Sequence, residues 1–272
     1  MNAPEFTIHR PDNPLQRFII RGPHLEADEA YAPELLTDVR RATLQWCINR
    51  DGDNFLANAV DSRQVQIVKY CLYEGKPNPS AFNNFAIIEA SDHDYPEIVQ
   101  MLLLDKRVNP AAQQNKAIYH AAWGGNLEVV RLLLADQRID PAAEHNRALL
   151  AAIQKNYIEV VKLLLQDSRV DPSASNNSAI RQASEHHRSE IVQLLLNDNR
   201  VDPTVDNDTL IWSAVEMDDL EIVKILQQDQ RVLDALPPEL LVEAAKASDP
   251  QQELRDLMSD SRFAGSRMLN VD

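Results

Sequence analysis

The chain has 272 residues, 44% of them hydrophobic and 25% charged, with a formal net charge of -15 and an isoelectric point near 4.9. So acidic a chain excludes nucleic acid as the expected ligand, because phosphate contacts are made by Lys and Arg. A basic protein segment suits its field better, although acidity also serves simply to keep an exposed scaffold soluble.

The N-terminal text MNAPEFTIHRP lacks a basic start followed by an apolar run, so no secretory signal is expected. No apolar stretch approaches a membrane span. A cytoplasmic protein is predicted, or one delivered into a host cytoplasm by a route the sequence does not disclose. Residues 1–33 hold Pro4, Pro11, Pro14, Pro23 and Pro33. The patches Phe6-Thr7-Ile8 and Phe18-Ile19-Ile20 read either as short strands facing each other across PDNP or as an extended arm. Leu35, Val39, Ala42 and Trp46 recur at helical spacing and predict a helix over 33–48 with these residues on one face. Residues 1–48 are therefore expected to form an N-terminal cap, a partner-binding arm being the alternative. Cys47 and Cys71 lie among apolar neighbours and read as buried thiols of a reducing compartment.

From residue 49 to 263 one unit of 31 residues repeats. Pro79, Pro110, Pro141, Pro172 and Pro203 mark it, as do Ala59, Ala90, Ala121, Ala152, Ala183, Ala214 and Ala245. Arg107, Arg138, Arg169, Arg200, Arg231 and Arg262 keep the same spacing. Such a period signals stacked units, none able to bury its apolar face alone. Each unit carries two short apolar runs of helical period, too short to be stable singly in water. Asp53, Asn84, Asn115, Asn146, Asn177 and Asp208 are expected to N-cap the first helix. Asp94 with Glu97, Asn156 with Glu159 and Asp218 with Glu221 read as capping boxes of the second. The Ala column predicts close helix-to-helix approach. After the second helix comes D-x-R-[VI]-[DN]-P. There Asp105, Asp136, Asp167, Asp198, Asp229 and Asp260 should form an ion-pair ladder with the Arg column, and the Val or Ile should plug the core.

The stretch HAAWGGNLEVVRLLL, residues 120–134, resembles the helix–loop–helix of the ankyrin repeat. The resemblance covers roughly residues 50–263. It implies an all-α solenoid of about six to seven stacked helix pairs, with projecting loops, a concave groove beside the first helices, protein recognition, no catalysis and no cofactor. The unit is 31 residues long where ankyrin repeats usually run 33, and the chain holds six glycines in all. Tighter turns built on Pro and Asn are therefore expected in place of glycine hairpins.

Toward the C-terminus Leu240, Leu241, Ala244, Ala245, Leu254 and Leu257 keep the register of a degraded seventh unit, and residues 264–272 read as a loose tail. The text LPPELL, residues 236–241, is similar to the opening of an F-box and leaves a second reading open, an adaptor to ubiquitin ligation or an effector acting on host proteins.

Function is expected where solvent-facing columns vary between units. The column following the paired small residues reads Asp61, Asp92, Trp123, Gln154, Glu185, Glu216, and the next includes His93, Lys155 and His186. With Tyr119 and His120 one turn before Trp123, the predicted partner-binding residues are Asp92, His93, Tyr119, His120, Trp123, Gln154, Lys155, Glu185, His186 and Glu216. Trp123 is the expected hot spot for a basic protein segment, in a chain acting as a monomer. His186 and His187 have no matching ligand at metal spacing, and no Ser/His/Asp or Cys/His set or phosphate loop occurs, so no metal, cofactor or catalytic residue is predicted.

Overall fold

Two short apolar runs per repeat can persist as helices only by burying their faces on each other and on the next repeat. The structure, a computed structural model, describes residues 5–10, 13–21, 38–74, 76–204, 209–244 and 249–259. It is an all-α repeat solenoid preceded by one antiparallel ribbon, β1 (Glu5–Arg10) and β2 (Asn13–Arg21), in which Phe6 stands opposite Ile20 and Ile8 opposite Phe18.

The chain divides into two compact units at residue 140. The first holds the ribbon, α1 (Asp38–Asp51) and three helix hairpins. These are α2 (Asp53–Asp61) with α3 (Val65–Tyr73), α4 (Ala81–Asp92) with α5 (Pro96–Leu104), and α6 (Ala112–Gly124) with α7 (Leu127–Leu134). First helices lie beside first helices (α2, α4, α6) and second beside second (α3, α5, α7). The other unit repeats the plan with α8 (Ala143–Lys155) and α9 (Ile158–Leu165), α10 (Ala174–Glu185) and α11 (Ser189–Leu196), and α12 (Thr209–Glu216) and α13 (Leu220–Leu226). A short α14 (Gln230–Ala235) leads to α15 (Pro238–Ala244) and α16 (Pro250–Ser259), and α16 closes against α12.

The expected core is present. Ala90, Ala121, Ala152, Ala183 and Ala214 are fully buried, so a larger side chain there has nowhere to go. Val108, Ile139, Val170, Val201 and Val232 plug the space after α5, α7, α9, α11 and α13. Leu240, Leu254 and Leu257 are buried too, so the LPPELL text supplies core to its own unit. Cys47 and Cys71 are buried free thiols, and burial pushes Cys71 up to about 12. Trp46, however, is exposed, with the Arg50 guanidinium 4.5 Å over its ring; Cys47 and Ile48 point inward instead. The predicted start of that helix at 33–37, the tail 264–272, and Asp208, Ala245, Asp260 and Arg262 lie outside the described residues.

The capping expectations are corrected. Asn84, Asn115, Asn146 and Asn177 do not cap their helices. Each is the third of three consecutive left-handed residues, as in Gln113, Gln114 and Asn115 with φ of 53, 60 and 59°. The turn is closed by the Asn115 N–H returning to Ala111 O at 3.0 Å. The side chain then reaches 25 residues onward: Asn115 Oδ1 accepts from Asp140 N at 2.8 Å, Asn84 Oδ1 from Asn109 N at 2.7 Å and Asn177 Oδ1 from Asp202 N at 2.9 Å. Asp53 does the same for Asn78 N. A left-handed conformation costs a non-glycine residue roughly 1–2 kcal/mol, and Asn tolerates it best. These Asn-based turns stand where glycine hairpins were absent from the sequence.

Asp94, Asn156 and Asp218 also have positive φ and so are not N-caps, which need an extended residue. With Arg63, Gly125 and His187 they form the left-handed link between the two helices of a hairpin. In α6 the Asn126 N–H bonds to Ala121 O at 2.9 Å and the Gly125 N–H to Ala122 O at 3.3 Å, a Schellman closure. Asp219, one residue after the predicted position, caps α13 by accepting from Ile222 N.

The Asp–Arg ladder is present with different rungs. Each Asp pairs with the Arg of its own repeat, as in Asp136 Oδ2 to Arg138 Nη2 at 2.6 Å. The step to the preceding repeat is made by the guanidinium alone: Arg138 Nη1 donates to Val108 O at 2.9 Å and Nη2 to Leu103 O at 2.8 Å. Arg231 does the same with Val201 O and Leu196 O, and Arg200 with Val170 O. The carbonyls of Leu103 and Leu196 belong to the last turns of α5 and α11, where a cation opposes the helix dipole.

Candidate functional site

The Schellman closure fixes where each first helix ends, and the residues just before it stand at the surface. In the N-terminal unit these ends carry Asp61, Asp92 and Trp123 at one column position, on α2, α4 and α6. Asp61 and Asp92 are exposed and Trp123 is half-buried rather than fully exposed. Tyr119, one turn earlier on α6, sets its ring 6.2 Å from the indole with the planes tilted by 36°. His120 meets Tyr119 edge-on at 5.3 Å. Its Nδ1 lies 2.9 Å from Asp92 Oδ1 on the neighbouring helix. Asn126 anchors the same junction from below, donating through Nδ2 to the Ser91 and Asp92 carbonyls at 2.8 and 3.0 Å.

Glu89 completes this surface and was not among the predicted residues. It sits half-buried one turn before Asp92, with His93 Nδ1 3.4 Å from its Oε1. Burial raises its carboxyl above the ordinary value, an effect that His93 opposes and that Asp61 and Asp92 reinforce. Glu89 occupies the column of His120, 31 residues on, and that column is the signal that could have found it. His93 also lies 5.7 Å from the Tyr95 ring, over which the Arg63 guanidinium sits at 5.2 Å.

The C-terminal unit presents the same position with other chemistry. Gln154 and Lys155 end α8, Glu185 and the half-buried His186 end α10, and Glu216 ends α12. Arg188 takes the place of Asn126 and donates to Gln154 O at 3.0 Å. His187, also missed, places Nδ1 2.6 Å from Asp219 Oδ2. The ten predicted residues thus fall into two sets of five, Asp92 to Trp123 in one unit and Gln154 to Glu216 in the other. Trp212 is buried inside its unit, and Phe82, at a loop tip, is exposed.

Among the described residues no group of three His, Cys, Asp or Glu side chains is placed to hold a metal ion. No helix among them is long and apolar enough to cross a membrane. What the helix ends offer is a surface of carboxylates, imidazoles and one aromatic pair.

A family model described as ankyrin repeats, in three copies, matches residues 87–176 and again 149–234, together more than half of the chain. A search of curated protein sequences finds no match. Among solved structures, the ankyrin repeat domain of Bcl-3, described as a unique member of the IkappaB protein family, is 18% identical with a TM-score of 0.56, over 80% of this chain and 98% of that one. The ankyrin repeat domain of human ASB11 is 17% identical with a TM-score of 0.50, over 75% of this chain and 97% of that one. At such identity the likeness concerns the fold.

Proposed function

The chain belongs to the ankyrin-repeat family, whose repeats are protein-interaction modules, and on that premise we propose that it is a non-catalytic scaffold that holds a protein partner through a basic segment. The observation that carries this reading is the division of labour between columns. Residues that recur along the stack are tied to backbone or buried, whereas the helix-end column from Asp61 to Glu216 changes identity at three of its five steps and reaches solvent. Constant residues hold the stack and varying ones are free to recognise. In the N-terminal unit the varying residues are carboxylates around Trp123, which favours a cationic partner.

Titrating a fluorescent oligo-arginine peptide and an oligo-glutamate control into the full chain tests this. The arginine peptide should bind, weaken as salt rises because exposed charges are screened within about 10 Å at 0.1 M, and weaken again in Trp123→Ala. Binding that ignores both salt and Trp123→Ala overturns the reading.

A further inference from the structure

We propose that the partner segment lies extended, as a polyproline II chain, across the helix ends of the N-terminal unit and presents a cationic side chain at every third residue. This inference rests on the basic-partner reading and adds a register to it. Asp61, Asp92 and Trp123 occupy one column on three helices packed side by side, α2 against α4 and α4 against α6. Helices packed this way lie about 8–10 Å apart. A polyproline II chain advances about 3.1 Å per residue and completes a turn in three, so every third side chain returns to the same face after roughly one step; an α-helical chain advances about 1.5 Å and would need about five to seven.

Each station suits a cation. Asp61 is exposed and ends α2. Asp92 gives one oxygen to His120, yet 40% of its side chain remains accessible, and a carboxylate has lone pairs for a second donor. Glu89 adds a carboxyl behind both, with His93 and His120 the imidazoles that face it. The third station is an indole with Tyr119 beside it, a face that holds a guanidinium by cation–π attraction and stacking. The aromatic end therefore selects Arg, whereas the two carboxylates accept Lys or Arg.

The experiment uses full-length chain and peptide isomers of one composition. The first is Gly-Arg-Gly-Ser-Arg-Gly-Ser-Arg-Ser; its nine-residue isomers carry the three arginines two or four residues apart, and a longer helix-stabilised peptide carries them seven apart. Anisotropy titration should favour the three-residue spacing by about tenfold, because a peptide out of register keeps one of the three contacts and forgoes the other two. Asp61→Asn, Asp92→Asn and Trp123→Ala should each shrink that preference, and Lys in place of one terminal Arg, the first or the last, should mimic the Trp123 variant. Equal, salt-sensitive binding of all isomers overturns the register and leaves the basic-partner reading standing. Preference for the helical peptide overturns the extended conformation. No binding of any arginine peptide overturns both.

Discussion

At one end of the helix hairpins from α4–α5 onward, Asp136 and Arg138 and their counterparts recur unchanged; at the other, the position of Trp123 is an acid in the two preceding repeats and an amide or acid in the later ones. The partners explain the difference. Arg138 donates to carbonyls of the preceding repeat, and those carbonyls stand in the same place whatever the side chains are. The guanidinium therefore meets the same acceptors in successive repeats, and the same residue serves each time. The helix-end column meets solvent and side chains of its neighbours rather than a fixed set of carbonyls, so its identity can change from repeat to repeat.

The sharpest break of this contrast is a cavity at the constant end. Ile139 is buried as the plug beside Arg138, and Ile139→Ala should cost about 3 kcal/mol, read as a fall in denaturation midpoint. A loss within the range of a surface change would show that the plug contributes nothing to the stack.

Next is the guanidinium itself. Arg138→Ala removes two hydrogen bonds to carbonyls and the Asp136 pair, and should cost about 2 kcal/mol, since hydrogen bonds to charged groups contribute about 1.5–3 kcal/mol. Lys at 138 keeps the charge without the fork and should recover only part of that. The same clamps set the acid limit. Hydrogen bonds from Arg107, Arg138, Arg169, Arg200 and Arg231 hold Asp105, Asp136, Asp167, Asp198 and Asp229 below the ordinary carboxylate value. A lowered folded value contributes stability that is complete above the unfolded value, about pH 4, and is lost as pH falls through the folded values. Acid unfolding monitored by circular dichroism should therefore begin near pH 4 and steepen below it, and Asp136→Asn should weaken the pH dependence.

The loop tips sharpen the contrast from another side, since their side chains vary while their backbone does not. Gln114 is exposed at φ 60°, the middle of a left-handed turn. Gln114→Gly relieves the Cβ clash and should stabilise by about 1 kcal/mol. A destabilised variant would mean the turn is not left-handed.

This turn also shows where sequence reading stops. The Ala column and the Val and Ile plugs were legible because burial leaves one periodic mark: small or branched apolar residues 31 apart. The Asn column was legible as a position but not as a conformation. Asn and Asp favour both extended N-caps and left-handed turns, for the same reason, a short side chain that bonds nearby backbone. The acceptors of Arg138 were invisible because they are carbonyls, which every residue has. The candidate site was legible as columns. Its division between two units, the partial burial of Trp123, and Glu89 behind Asp92 needed the packing of α4 on α6.

The smallest loss on truncation is expected at Trp123. Its indole is partly buried at the end of α6 and packs on Tyr119, so Trp123→Ala should cost about 1–2 kcal/mol, the aromatic pair together with the area it covers. Trp212 provides the internal control: buried in α12, it should cost about 3–5 kcal/mol when truncated. If the two tryptophans lose equal stability, Trp123 is a core residue that happens to reach the surface, and the helix-end column loses its only large anchor for a partner. If they differ as stated, a large aromatic sits where the fold gains little from it, and recognition is the remaining physical reason for an indole among acids.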